Sequence, residues 1–367
     1  MPLTLDYQPR LPTRRDWRIG CAGAGFIMRD CHLVAYRSAG FTPVAIASRN
    51  PDTAREVAGR HAIPTVHAAI DDLLNDPTIE VLDVAVPPDV QPGIIHKAAG
   101  RRTVRGILAQ KPLAMSVREA RACVEACERA GIKLAVNQNM RFDQSVRAMK
   151  SLLRTGALGE VVLATIDMRA IPHWMPWSRA LPSLSTFVMS IHHLDTFRYW
   201  LGTPDRLLAS TRPDPRTTFP HSDGINLYVL EYDSGARAAS WDDVWAGPAR
   251  EGAAPDIGIR WRVEGTKGMA RGTIGWPGYP ARTPSTLDYT LVGDPAWHQP
   301  RWDEAWFPDA FVGTMAQLLV ALEDGTEPEI VGRDNLETVA LCEAVFAAAR
   351  DHRVTTVREF LKPSGDA

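Results

Sequence analysis

The chain changes its hydrophobic rhythm once, near residue 144. Before that point, short continuous apolar runs alternate with stretches of helical period. Residues 18–22, 42–47, 81–86, 106–109 and 133–136 read as strands buried on both faces. Residues 27–39, 51–60, 71–74, 94–100 and 117–130 read as helices. The first of these helices has Leu33, Val34 and Tyr36 near one face and Gly40 as its stop. Ser116 and Glu119 fit a capping box before the helix at 117–130. This alternation predicts a doubly wound parallel sheet. After residue 144 a helix at 145–155 is followed by alternating or β-branched strands at 161–169, 226–232, 236–244, 257–264, 269–274 and 285–291. A helix at 186–201 precedes most of them. Turns such as Asp233-Ser234-Gly235 and Gly265-Thr266-Lys267-Gly268 make much of this second sheet antiparallel. Helices at 309–324 and from Asp334 to about Arg350 close the chain, with Asp334 and Glu337 placed as a capping box. The expected division is an arm over 1–16, a parallel-sheet domain over 17–142 and a second domain over 143–367.

Composition narrows this picture. A length of 367 residues suits two sizeable domains, with 45% hydrophobic and 23% charged residues, as in globular proteins. A net charge of -2 argues against a generally basic nucleic-acid binder. No apolar run is long enough to span a bilayer, and the polar Pro/Arg-rich residues 1–16 lack the apolar core of a signal peptide. A cytoplasmic protein with neither a nucleic-acid nor a membrane partner is therefore expected. Cys21, Cys31, Cys123, Cys127 and Cys342 are odd in number, and Cys123 and Cys127 lack the spaced partners of a zinc site. Reduced buried thiols, and no metal, are the expectation.

The richest chemistry lies at Gly23-Ala24-Gly25-Phe26-Ile27, between the first strand and the first helix. A G-x-G turn there lets backbone approach a pyrophosphate at the positive end of a helix. The third small position of that fingerprint is Met28, so looser packing of helix on strand is expected there. The second strand ends at Ser48-Arg49-Asn50, without the carboxylate that binds a ribose 2′-hydroxyl. A guanidinium at Arg49 suits a 2′-phosphate, which favours NADP over NAD. Stacking on adenine and plain solvation remain open for that side chain.

Gln110-Lys111-Pro112-Leu113-Ala114, His192-His193-Leu194-Asp195 before Trp200-Leu201-Gly202, and Gly332-Arg333-Asp334-Asn335-Leu336 join the glycine turn in one recognisable order. Together they resemble the glucose–fructose oxidoreductase / inositol dehydrogenase / MocA family over nearly all of residues 17–359. The resemblance implies a dinucleotide-binding Rossmann domain. It also implies a C-terminal α/β domain with an open, mostly antiparallel sheet, whose exposed face makes homodimers or homotetramers. It implies a catalytic lysine near the nicotinamide at Lys111, where Gln110 replaces the usual glutamate. In the family's Asp-x3-His-x2-Asp segment, His192 and Asp195 match and Val188 replaces the first aspartate. His192 is then the acid/base, while His193 either lines the substrate pocket or is a core histidine. Cofactor contacts are expected at Gly23, Gly25, Phe26, Ile27, Ser48, Arg49, Pro87, Gln91, Gln110, Lys111 and Asn139. Substrate contacts are expected at Arg141, His173, Trp174, Trp177, His193 and Asp195, although residues 169–179 also read as a proline-rich packed corner. Residues 276–280 read as a loop or contact surface.

The function this implies is NAD(P)-dependent hydride transfer to or from a carbinol carbon of a sugar, polyol or sugar acid. Two other classes stay open. One is a redox-neutral enzyme with retained NAD, a glycosidase or oxidoisomerase working through a transient keto-sugar. The other is a non-catalytic NAD(P)-binding regulator.

Overall fold

A computed structural model describes residues 3–170, 175–245, 247 and 256–362. Two compact units divide the chain: residues 9–142 with 307–336, and residues 1–8 with 143–306 and 337–367.

The first unit holds β1 (Arg18–Ala22), α1 (Leu33–Ala39), β2 (Thr42–Ala47), α2 (Pro51–His61), β3 (Thr65–Val66), α3 (Ile70–Asn75), β4 (Val81–Val84), α4 (Gln91–Ala99), β5 (Gly106–Gln110), α5 (Val117–Arg129) and β6 (Lys133–Asn137). Its six strands are all parallel, in the order β3-β2-β1-β4-β5-β6. The order reverses between β1 and β4, which makes the carboxyl ends of those strands the switch point of the sheet. Ser116 accepts a hydrogen bond from Glu119 N and caps α5 as expected.

Several features differ from the sequence reading. The helix expected at 27–39 opens with a π-helical turn, Ile27–His32, in which Leu33 N–H reaches back five residues to Met28 O. Its buried face is Met28, Cys31, His32, Leu33, Ala35 and Tyr36, and Val34 is only half-buried. A wider turn admits the fully buried Met28 side chain where the fingerprint has a small residue. Second, the strand expected at 81–86 stops at Val84 and carries a fully buried carboxylate, Asp83. Third, residues 307–336 join the first unit rather than the second. Phe311, Met315, Leu318 and Leu319, on the helix α8 (Trp306–Asp324), enter one core with Ile19, Val81, Leu108 and Ala135. Residues 9–16 are likewise part of this unit, where Arg14 pairs with Glu80 at 2.7 Å.

The second unit holds α6 (Gln144–Arg154), β7 (Val161–Arg169), α7 (Ile191–Leu201), β8 (Arg206–Arg212), β9 (Ile225–Glu231), β10 (Arg237–Asp243), β11 (Gly258–Gly265), β12 (Gly268–Ile274) and β13 (Thr286–Leu291). The helix α9 (Gly332–Asp351) crosses the division at residue 337, and α10 (Val357–Leu361) follows. The sheet order is β13-β12-β11-β7-β10-β9-β8, antiparallel except for the β7–β10 pair. The edge strand β8 has few apolar residues beyond Leu207 and Leu208, and period alone did not find it. The helix expected at 186–201 again opens with a π-helical turn, Thr186–Ser190.

Candidate active site

Gly23 and Gly25 have different reasons to be glycine. Gly23 has φ +107°, and a Cβ on it would stand 2.3 Å from Ala85 O. The fold itself therefore requires glycine at Gly23. A Cβ on Gly25 would meet nothing within 4 Å, and the residue is exposed. Protein packing does not require that glycine, but a pyrophosphate lying against the start of the helix would, so these residues fit a dinucleotide. Phe26 and Ile27 are half-buried and pack against the core, with the Phe26 ring 6.4 Å from that of Phe307. Ser48 follows β2, and Asn50 Oδ1 accepts from Asp52 N at 2.9 Å to cap α2. Arg49 between them is exposed, with no ion-pair partner among the described residues.

Pro87 O accepts from Val90 N at 3.1 Å and Gln91 N at 3.2 Å, which starts α4. Gln91 is fully buried, and its amide is spent on the neighbouring turn. Nε2 donates to Gln110 O at 2.6 Å, Pro112 O at 3.0 Å and Leu113 O at 3.1 Å, while Oε1 accepts from Gln110 N at 2.8 Å. Gln91 is therefore a clamp on the turn that presents Lys111. The Lys111–Pro112 peptide is cis, and Lys111 is half-buried.

Behind this turn runs a chain of buried polar side chains that the sequence reading missed. Tyr36 Oη donates to Asp83 Oδ2 at 2.6 Å, and His32 Nδ1 lies 2.7 Å from the same oxygen. Asn137 Nδ2 lies 2.7 Å from His32 Nε2 and donates to Gln110 Oε1 at 2.7 Å. Burial and the neighbouring Asp83 carboxyl push the Tyr36 phenol well above its usual range, so it stays a donor. One signal was available: a lone aspartate inside an apolar parallel strand must find a partner. After β6, Asn139 and Arg141 lie in the tight turn Asn139–Phe142, both buried. Arg141 NH2 is 3.5 Å from Asp334 Oδ2, so this expected substrate contact already faces a carboxylate.

In the second unit, α7 carries His192, 3% exposed, with its ring edge-on to Trp306 at 5.3 Å between centroids. Trp306 in turn meets Trp276 at 6.2 Å, so the loop at 276–280 sends one side chain toward the histidine's aromatic wall. The turn leading into α7 is anchored by the fully buried Asp223, which accepts from Leu184 N and Thr186 N, both at 2.6 Å. Val188 is buried, an apolar residue where an acid was sought. Two expected substrate contacts sit buried inside the second unit. His193 is fully buried, with Nδ1 2.9 Å from Asp242 Oδ1, because it faces β10 about a hundred degrees round the helix from His192. Asp195 is 1% exposed and accepts from Thr338 Oγ1 at 2.8 Å, which ties α7 to α9. Trp177 is half-buried in the short turn Pro176–Ala180, while His173 and Trp174 lie outside the described residues. All five cysteines are free and buried. No three metal-ligating side chains converge among the described residues, and no described helix is long and apolar enough to cross a membrane.

A six-stranded sheet in this order, a glycine turn open at its switch point and a lysine on a clamped turn beside it define a dinucleotide-binding oxidoreductase. Residues 17–138 match the family described as "Oxidoreductase family, NAD-binding Rossmann fold", and residues 146–271 match the GFO/IDH/MocA C-terminal domain. The chain belongs to the GFO/IDH/MocA oxidoreductase family. It is 26% identical over 341 residues to the D-apiose dehydrogenase of Paraburkholderia graminis, covering 92% of this chain and 88% of that one. It is 25% identical to the inositol 2-dehydrogenase of Rhizobium meliloti, covering 93% of this chain and 99% of that one. An oxidoreductase from Agrobacterium radiobacter, solved with NAD+, L-tartaric acid and magnesium, has the same fold. Its TM-score is 0.80 at 23% identity, over 94% of this chain and all of that one.

Proposed function

We propose that the protein transfers hydride between NADP or NAD and a carbinol carbon of a sugar, polyol or sugar acid. The observation that carries this is the Lys111 turn. A buried glutamine holds it by four hydrogen bonds at the carboxyl end of β5, next to the strand whose end forms half the switch point. A clamp of that kind fits a residue that must be placed accurately, and exceeds what a surface lysine needs. The nicotinamide, when bound, supplies the hydride acceptor or donor. Lys111 orients the reacting hydroxyl and stabilises alkoxide charge as its proton leaves, and His192 takes or returns that proton. The identities of the relatives, a D-apiose and an inositol dehydrogenase, support a polyhydroxylated substrate. The exposed Arg49 supports NADP. Leu208, Leu227, Val229 and Trp241 lie exposed on one face of β8, β9 and β10, which supports a homodimer or homotetramer built on that face.

The test is turnover of a panel of aldoses, polyols and aldonic acids with each nucleotide, for wild type and Lys111→Met. We expect the variant to keep nucleotide affinity within about three-fold and to lose at least roughly 10³-fold in turnover, since positioning and charge stabilisation are lost together. Undiminished turnover in the variant would remove Lys111 from the mechanism. A nucleotide retained stoichiometrically through purification would move the reading to the redox-neutral class.

A further inference from the structure

We propose that Asp83, His32 and Asn137 form a positioning relay that sets which end of the Gln110 amide faces the lysine site. This rests on the proposed function only for what Gln110 faces; the relay itself lies within one compact unit. Its logic is donor and acceptor counting. Asp83 Oδ2 accepts from Tyr36 Oη, and as a carboxylate it accepts from His32 as well. His32 must then carry its proton on Nδ1, which leaves Nε2 a bare acceptor. The group 2.7 Å from Nε2 has to be a donor, so Asn137 presents its NH2 there. The second hydrogen of that same nitrogen goes to Gln110 Oε1 at 2.7 Å. Oε1 is thereby taken, and the NH2 is the end Gln110 has left to offer. Gln110 and Asn137 are the last paired residues of β5 and β6, so the contact is built into the sheet register. The π-helical turn at residues 27–32 ends on His32 and sets where its ring enters this chain. His32, Asp83 and Asn137 are each fully buried, so water does not compete for these bonds. The carboxylate buried in β4 thus fixes a direction that reaches the residue before Lys111, where the family's glutamate is replaced by a residue with two unlike ends.

The test begins with the 15N spectrum of histidine-labelled wild-type protein, with the His32 signals assigned by a His32→Gln variant. We expect the neutral Nδ1–H form; an Nε2–H or doubly protonated ring overturns the relay. Asn137→Asp keeps the shape but can only accept. Flanked by two carboxylates, His32 should then donate from both nitrogens, Gln110 should turn its NH2 inward, and single-turnover hydride transfer should slow roughly 10-fold to 100-fold. An unchanged tautomer with an unchanged rate overturns the proposal. Should that variant not fold, Gln110→Leu breaks only the last link. It should leave the His32 tautomer as in wild type and still slow hydride transfer about 10-fold; an unchanged rate overturns the positioning role. The tautomer needs no sugar. If it behaves as expected in wild type and in Asn137→Asp and no tested substrate is turned over, the proposed function fails and the relay stands.

Discussion

Each unit of the protein buries a histidine against an aspartate, and the two pairs do different work. His32 meets Asp83 at 2.7 Å in the parallel-sheet unit, and His193 meets Asp242 at 2.9 Å in the other. All four side chains are essentially inaccessible. What separates the pairs is the second nitrogen of each ring. His32 Nε2 is taken by Asn137, and the chain runs on to a strand end beside the candidate lysine. His193 Nε2 has no partner among the described residues, and the aspartate turns instead to Ser190, which Asn226 also contacts at 3.0 Å. One pair is a relay and the other an anchor for the turn that leads into α7. A buried His–Asp pair is therefore weak evidence of chemistry until its far side has been traced.

The largest expected effect should fall on both pairs alike. Asp83→Ala and Asp242→Ala each strand a buried imidazole and a buried hydroxyl, so each should cost about 3–5 kcal/mol in urea unfolding. A cost below about 1 kcal/mol at either site would mean that pair is not intact in solution. A buried carboxylate with no histidine sharpens the contrast. Asp143 caps α6 by accepting from Ser145 N at 2.9 Å and Val146 N at 3.3 Å, yet burial outweighs those bonds and lifts its pKa from 3.8 to about 6. The native state then holds a proton that the unfolded chain releases near pH 4, so stability falls as pH rises between about 4 and 6. The sum is up to about 3 kcal/mol. Asp143→Asn should gain on wild type by that amount between those limits, and parallel pH profiles for the two proteins would refute the assignment. The glycine turn offers a smaller contrast. Gly23→Ala should cost about 1–3 kcal/mol through its backbone conformation alone, before the contact with Ala85 is counted. Gly25→Ala should leave stability within about 0.5 kcal/mol and weaken nucleotide binding at least 10-fold. Equal effects of the two substitutions on unfolding would break the distinction.

The sheets were legible because their strands are short and their hydrophobic period is regular. The glycine turn and the Lys111 turn were legible because each uses residue types with little structural alternative. Asp83 was passed over inside an apolar run because its partner stands 51 positions away, beyond any periodicity argument. The π-helical turns were invisible for a related reason: one extra residue in a turn hardly disturbs a 3.6-residue pattern over a single turn. His192 and His193 were separable by helical angle, yet the carboxylate that His193 meets stands on β10, beyond any local pattern. The return of residues 307–336 to the first unit is long-range packing of an apolar helix, and nothing local in α8 names the core it completes.

The smallest effect separates the nucleotide-reading end of the first unit from its relay. Arg49 and Arg141 both follow parallel strands, but only Arg141 is buried and faces a carboxylate, Asp334 at 3.5 Å. Arg49 projects into solvent beside a helix cap that Asn50 satisfies without it, so the fold gains nothing visible from its charge. A 2′-phosphate would give that guanidinium a bidentate partner at an exposed site, where such a pair is worth on the order of 1 kcal/mol. Arg49→Ala should therefore weaken NADP binding about 5-fold to 10-fold, leave NAD binding within about two-fold, and leave the His32 tautomer untouched. Titrations of the two nucleotides against both proteins decide it. An equal loss for NAD and NADP would make Arg49 an adenine-stacking residue, and no loss for either would leave it a solvated arginine with the cofactor choice read elsewhere on β2.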